Sequence, residues 1–320
     1  MRVLFITATR IGDAVLSTGI LNHLIGRYAD ARITVACGPA AAPLFEAVPN
    51  LERIIVLRKK KWSLHWLGLW SECVGKFWDV MIDLRRAPLS YLLAGRDKRH
   101  LARSSGEAHR VIDMAGLLDL AADPPAPRLW ATDAHEERAA QMIGDGPPVL
   151  AIGPTANWVG KIWPPEYFAE LIARLTATGG ILPGGRVAFF GHGDERSGVT
   201  KLIETVPTDR RIDLVGGPHL LEVFACLKRC ALYVGNDSGL MHISAAAGIP
   251  TLGLFGPSRE EHYAPWGEWS AVVRGTKGYG EIFPENFDHR NTGSLMDGLS
   301  VEAVEKAAGD LWRATRETQA

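Results

Sequence analysis

The chain has 320 residues, enough for two domains of ordinary size whose cores need no metal or disulfide staple. At 47% hydrophobic and 22% charged residues it reads as a soluble globular protein, and 35 Lys and Arg against 36 Asp and Glu argue against a nucleic-acid partner. The four cysteines, at 37, 73, 226 and 230, lack CxxC spacing and point to reduced thiols. No run approaches the roughly 18 apolar residues of a membrane span, so a cytoplasmic location is expected.

In chain order, residues 3–7, 33–37, 54–57 and 80–84 read as buried strands, with helical patterns over 13–27 and near 40–47, 62–77 and 107–120. A proline-rich break follows at 121–128, and a Gly-Asp-Gly-Pro-Pro stretch at 144–148. The pattern then restarts, with strands over 149–152, 187–190, 232–234 and 251–255 and helices near 164–177, 195–205, 219–229 and 239–247. Residues 256–299, rich in Gly, Pro and Asn, are expected to form long loops. A last helix is expected over 300–315 with Ser300 as its N-cap. Strands alternating with helices imply two α/β domains, 1–147 and 148–320, each a parallel sheet covered on both faces. In such sheets ligands bind beyond the carboxyl ends of the strands.

Three segments carry chemistry. In the first, Tyr233-Val-Gly-Asn-Asp237-Ser238-Gly239-Leu-Met-His242, a strand end runs into a helix start. Asp237, Ser238 and the free amides of Gly239 and Leu240 gather there as an anion site, and His242 lies one turn further in. Asp237 reads equally as an N-cap, and His242 as a packed helix residue. In the second, Gly153-Pro-Thr155-Ala-Asn157-Trp-Val-Gly-Lys161-Ile-Trp-Pro164, Lys161 can neutralise a diphosphate leaving group, and Thr155 and Asn157 offer side-chain donors. In the third, Thr9-Arg10-Ile-Gly12-Asp13, Gly12 permits a tight turn and Asp13 reads as an N-cap or a general base. Gly191-His-Gly193-Asp-Glu195 opens like a dinucleotide fingerprint but lacks its third glycine. No Asp-X-Asp pair occurs, which disfavours a metal-bridged diphosphate.

Charge is uneven along the chain. Residues 53–110 hold 13 basic against 5 acidic side chains, which suits an anionic partner or membrane surface. Within them Arg58-Lys-Lys-Lys61 precedes Trp62, Trp66 and Trp70, whose four-residue spacing predicts one aromatic helical face. Two readings stand: a peripheral anchor on an anionic membrane surface, or a helix packed on the first sheet.

Together these segments resemble the ADP-heptose:lipopolysaccharide heptosyltransferases, glycosyltransferase family 9 of the GT-B class. The family's Arg-X-Gly-Asp appears as Arg10 to Asp13, its Lys-X-Trp-Pro as Lys161 to Pro164, and its Asn-Asp-Ser-Gly-X-Met-His as Asn236 to His242. Phe255-Gly256-Pro257 follows as in the family, and Asp83-Leu-Arg85 looks like its mid-domain strand end. Gly19 stands where many relatives have proline, and residues 277–298 lack the cysteine-containing loop common among them.

The resemblance implies two Rossmann-like domains facing a central cleft, with the C-terminal helix a candidate to cross back to the N-terminal domain. It implies inverting transfer of a heptose from ADP-heptose to a lipopolysaccharide core hydroxyl, with no metal or other cofactor. In that scheme Asp13 is the general base. Lys161, Ser238, Gly239 and His242 stabilise the ADP leaving group, Glu195 meets adenosine, and Asp237 holds the ribose or orders the helix start. Arg10 and Arg85 are the acceptor-binding candidates. The rival readings are a GT-B transferase or epimerase that uses another nucleotide sugar, such as a UDP sugar, and a non-catalytic nucleotide-sugar or glycan-binding module.

Overall fold

The computed structural model describes residues 1–102, 106–283, 287–288 and 292–319. The chain divides into two compact units, Met1–Thr132 and Asp133–Ala320.

The first unit runs β1 (Arg2–Ile6), α1 (Ile11–Arg27), β2 (Arg32–Cys37), β3 (Leu51–Val56), α2 (His65–Cys73), β4 (Trp78–Asp83), β5 (Gly95–His100) and α3 (Arg110–Ala115). Its five strands are parallel in the order β3-β2-β1-β4-β5. Val3, Leu4, Phe5 and Ile6 of the central β1 are wholly buried, as a strand covered on both faces requires. The expected strand over 80–84 is β4, and the helix expected near 40–47 is a short 3-10 turn, Ala42–Phe45. Strand β5, Gly-Arg-Asp-Lys-Arg-His, is an edge strand that its charge conceals.

Helix α1 begins two residues before Asp13, with Arg10 at its N-cap, so Gly12 sits inside the first turn rather than in a tight turn. Gly19 has a steric reason: a Cβ there would overlap the Pro125 carbonyl oxygen. The proline-rich segment therefore lies directly on α1, where Arg128 N donates to Thr18 Oγ1 at 2.9 Å.

The single tryptophan face does not form. Helix α2 starts at His65, and Trp62 precedes it in a left-handed conformation (φ 55°), 90% exposed. Trp66 and Trp70 turn the other way and pack on the core with Leu69 and Cys73.

The second unit runs α4 (Asp133–Ile143), β6 (Val149–Gly153), α5 (Pro165–Thr176), β7 (Arg186–Phe189), α6 (Arg196–Glu204), β8 (Arg211–Asp213), α7 (Leu220–Leu227), β9 (Leu232–Asn236), α8 (Gly239–Ala246), β10 (Thr251–Phe255), α9 (Glu260–Tyr263), β11 (Ser270–Arg274), α10 (Tyr279–Ile282) and α11 (Val301–Gln319). Its six parallel strands follow the order β11-β10-β9-β6-β7-β8. Helix α4 lies before the expected boundary at 147/148 yet belongs to this unit, packed on α7 and tied to it by Lys228 Nζ–Glu136 Oε1 at 2.5 Å. The stretch expected to be loop over 256–299 holds β11 and two short helices; residues 284–286 and 289–291 lie outside the described residues.

Helix α11, a candidate above to cross to the first domain, packs on α5, β10 and β11 of its own unit. Val301, Val304, Ala308 and Leu311 join that core, and Arg174 of α5 binds Glu302 and Glu305 at 2.8 and 2.9 Å. All four cysteines are unbridged and buried, and burial pushes the thiols of Cys37 and Cys226 up to about 12 and that of Cys73 up to about 11.

Candidate active site

Two loops at the carboxyl ends of neighbouring strands build the site. Strands β6 and β9 pair in register, Gly153 opposite Gly235, so the segments that leave them emerge side by side. Asn236, buried at the end of β9, fastens the two together. Its Nδ2 donates to the Pro154 carbonyl at 2.9 Å, and its Oδ1 accepts from Trp163 N at 3.1 Å. Trp163 is itself buried, with Nε1 donating to the Leu299 carbonyl at 2.8 Å. Ser294 Oγ and Leu295 N reach the Ile162 and Gly160 carbonyls, so the lysine-bearing loop is held at both ends. Asn236 and Trp163 had no assigned role in the sequence reading. A buried amide between a glycine and an aspartate at a strand end was the available signal.

Within this frame Lys161, at the end of a short 3-10 turn, places Nζ 2.5 Å from Asp237 Oδ2. Asp237 is 6% exposed and Lys161 half-buried, so the pair is partly shielded from water. Asp237 is therefore not an N-cap: the N-cap of α8 is Ser238, in extended conformation, and its side chain makes no capping bond. The first amides of α8, those of Gly239, Leu240 and Met241, have no acceptor within the helix and leave partial positive charge at its start. His242, 4% exposed, lies in the next turn. Lys161, Asp237, Ser238, Gly239 and His242 are thus drawn from one loop and one strand-to-helix turn. A lysine ammonium, unbonded amides and a hydroxyl at this turn make an anion-binding arrangement.

The remaining donor candidates lie beside this group. Thr155 is buried and its side chain packs towards Gly191 at the end of β7. Asn157 is exposed on the loop. Glu195 closes a capping box, with Oε2 accepting from His192 N at 2.8 Å. Beyond β10 and β11, a cavity of about 200 Å³ is lined by Phe255, Gly256, Lys277, Met296 and Asp297, among others.

The first unit carries the other candidates. Asp13 is half-buried in the first turn of α1, where negative charge complements the helix dipole. Arg10 is exposed. Asp83, at the end of β4, is fully buried: it accepts from Arg85 N at 2.8 Å, Ala87 N at 2.7 Å and Ser90 Oγ at 2.7 Å, and His100 Nδ1 lies 3.3 Å from its Oδ2. It shapes the turn after β4. That turn holds the Arg85 guanidinium 5.0 Å above the Trp66 ring, where desolvation lowers its pKa against the pull of Asp83. Among the described residues, no three His, Cys, Asp or Glu side chains are grouped to hold a metal ion.

The model of glycosyltransferase family 9 (heptosyltransferase) matches residues 91–283, more than half of the chain. Lipopolysaccharide heptosyltransferase 2 of Salmonella typhimurium is 25% identical over 88% of this chain and 90% of its own. A solved family 9 glycosyltransferase from Veillonella parvula superposes with a TM-score of 0.80 at 21% identity, covering 98% of this chain and 97% of that one. The E. coli ADP-heptose lipopolysaccharide heptosyltransferase II gives 0.73 at 21% identity, covering 99% of this chain and 100% of that one. These likenesses identify the two sheets as the Rossmann-like domains of the GT-B class.

Proposed function

The chain belongs to glycosyltransferase family 9, and from that premise we propose that it transfers a heptose from ADP-heptose to a hydroxyl of a lipopolysaccharide core acceptor. The observation that carries the donor assignment is the Lys161–Asp237 pair beside the start of α8. An ammonium has three protons, so Lys161 can keep Asp237 and still donate to a phosphate oxygen. As the bond from the anomeric carbon to diphosphate breaks, negative charge grows on the ADP oxygens. Lys161, Ser238, the amide of Gly239 and His242 stabilise it without need of a metal. Thr155 and Asn157 flank the diphosphate, and Glu195 meets the adenosine. The acceptor oxygen attacks the anomeric carbon and its proton passes to Asp13. Arg10 and Arg85 supply cationic contacts to an anionic acceptor.

For localisation we propose a cytoplasmic enzyme held peripherally at the inner membrane through exposed Trp62, Leu64 and Leu67 beside Arg58 to Lys61. No described helix is long and apolar enough to cross a membrane.

The test is a thermal shift followed by a transfer assay. ADP at a hundred times its Kd stabilises the protein by about 2.7 kcal/mol, while UDP at the same concentration gives a much smaller shift. Mass spectrometry of a truncated lipopolysaccharide acceptor incubated with ADP-heptose then shows the added heptose. A larger shift with UDP would replace the donor, and ADP binding without any transfer would favour a binding module.

A further inference from the structure

The mechanism above leaves unused a fully buried phenol. Tyr233, at the centre of β9, is 0% exposed, and its ring runs along the sheet face towards the carboxyl ends of β6 and β9. Two glycines make room for it. A Cβ on Gly153 or on Gly235 would overlap the Tyr233 hydroxyl, and neither glycine has a positive φ that would explain it otherwise. The sequence thus keeps two side-chain-free positions on adjacent strands around one phenol, directly beneath the strand-to-helix turn that carries Asp237 and Ser238.

The Tyr233 hydroxyl makes no hydrogen bond of normal geometry, and neither does Ser238 Oγ, although both atoms are buried. The two lie close enough for Ser238 to influence the phenol, and the Asp237 carboxylate acts on it too. Burial raises the Tyr233 pKa strongly, so the group is a neutral O–H donor at physiological pH. A buried phenol whose neighbouring Ser238 hydroxyl offers no well-aligned hydrogen bond weakens the folded state. Phenylalanine would fill the same space at no such cost, so the hydroxyl calls for an explanation outside the ligand-free fold.

We propose that Tyr233 is a positioning residue for the donor diphosphate, acting through Ser238. In the bound state the Tyr233 O–H donates to Ser238 Oγ, which commits the Ser238 proton to a phosphate oxygen. Each donor then has one acceptor, and the chain of hydrogen bonds polarises the terminal one towards the charge. The two orphaned hydroxyls of the ligand-free protein are both satisfied by the anion. This assignment rests on the reading of the β9–α8 turn as the diphosphate site.

The test is a double-mutant cycle on the full chain, Tyr233→Phe, Ser238→Ala and both together, with ADP affinity by titration calorimetry and melting temperature without ligand. Tyr233→Phe and Ser238→Ala each weaken ADP by about 5- to 10-fold. The double variant binds no worse than Ser238→Ala alone, because the phenol has lost the group it acts through. Ligand-free Tyr233→Phe melts no lower than the unmodified protein, which separates positioning from a structural role. Wild-type ADP affinity in Tyr233→Phe or in Ser238→Ala overturns the proposal, as do losses that multiply in the double variant. If the unmodified chain binds no ADP, the donor reading itself fails and takes this role with it. ADP binding that Tyr233→Phe leaves unchanged removes only the tyrosine.

Discussion

At the scale of single residues, the proposed roles separate groups that would meet substrate from groups that hold them in place. Lys161→Ala removes one charge-stabilising donor and should lower turnover by on the order of 100-fold at saturating donor. Its melting temperature belongs beside the kinetics, since the change also strips Asp237 of its cation. Unchanged turnover would take Lys161 out of the diphosphate role. Asp13→Asn should keep donor affinity and lose roughly 100- to 10,000-fold in transfer, because asparagine preserves shape but cannot accept the proton. If Asp13→Asn retains more than about a tenth of the activity, the base lies elsewhere. Asp83→Asn is the structural counterpart: it perturbs the bonds to Arg85 N, Ala87 N and Ser90 Oγ and the contact with His100, and should lower stability without a selective effect on the chemical step. Residue type and motif spacing were enough to single out Lys161, Asp237 and His242. The Lys161–Asp237 pairing was not legible, because 76 residues separate the partners and only the β6–β9 register joins them. Asp83, at a strand end in the same unit as Asp13, is distinguished from it by burial that the sequence did not reveal.

At the scale of elements, periodicity located what was apolar and passed over what was not. The central strands β1, β4, β6, β9 and β10 are dominated by buried apolar side chains, and each was legible as a run. Strand β5 was hidden by its charges, and α4 by having only Ala139 and Ile143 buried. The same failure of a simple period reshapes the membrane argument. Trp66 and Trp70 support the core, so the apolar groups left outside around the start of α2 are Trp62, Leu64 and Leu67, the last two 51% and 52% exposed. Four consecutive cations, Arg58 to Lys61, are exposed beside them. An apolar tip flanked by cations suits an anionic bilayer, where each cation near the surface contributes about 1 kcal/mol. The unmodified protein should co-float with vesicles containing phosphatidylglycerol at low salt. Trp62→Ser combined with Lys59→Glu and Lys60→Glu should stay at the bottom of the gradient while melting normally. Trp66→Ala, by contrast, should lower stability by about 1–3 kcal/mol, less than a full core truncation because the ring is only partly buried. Equal flotation of the triple variant and the parent would end the idea of a membrane face here.

At the scale of the whole molecule, the near-neutral total conceals a division of charge that follows the folded units more closely than the sequence boundary suggested. Met1–Thr132 holds 18 Lys and Arg against 12 Asp and Glu, whereas Asp133–Ala320 holds 17 against 24. In the proposed scheme the anionic donor binds the acidic unit, where diffuse charge repels it and short contacts from Lys161 and the start of α8 must hold it. The proposed acceptor is assigned to the basic unit, where the field itself attracts an anionic glycan. These two modes respond differently to salt. The Debye length falls from about 10 Å at 0.1 M to about 3 Å at 1 M, which removes long-range attraction but weakens a partly shielded contact of 2.5 Å far less. Raising sodium chloride from low to high concentration should therefore raise KM for a phosphorylated acceptor several-fold and leave donor KM nearly constant. Chelation with EDTA should leave both unchanged if ammonium, hydroxyl and amides alone stabilise the leaving group. The measurement is a pair of substrate titrations at each ionic strength, with melting temperature as the control for general effects of salt. Parallel salt dependence of the two KM values would show that the charge asymmetry of the units does not sort the substrates, and acceptor recognition would then have to rest on short contacts as well.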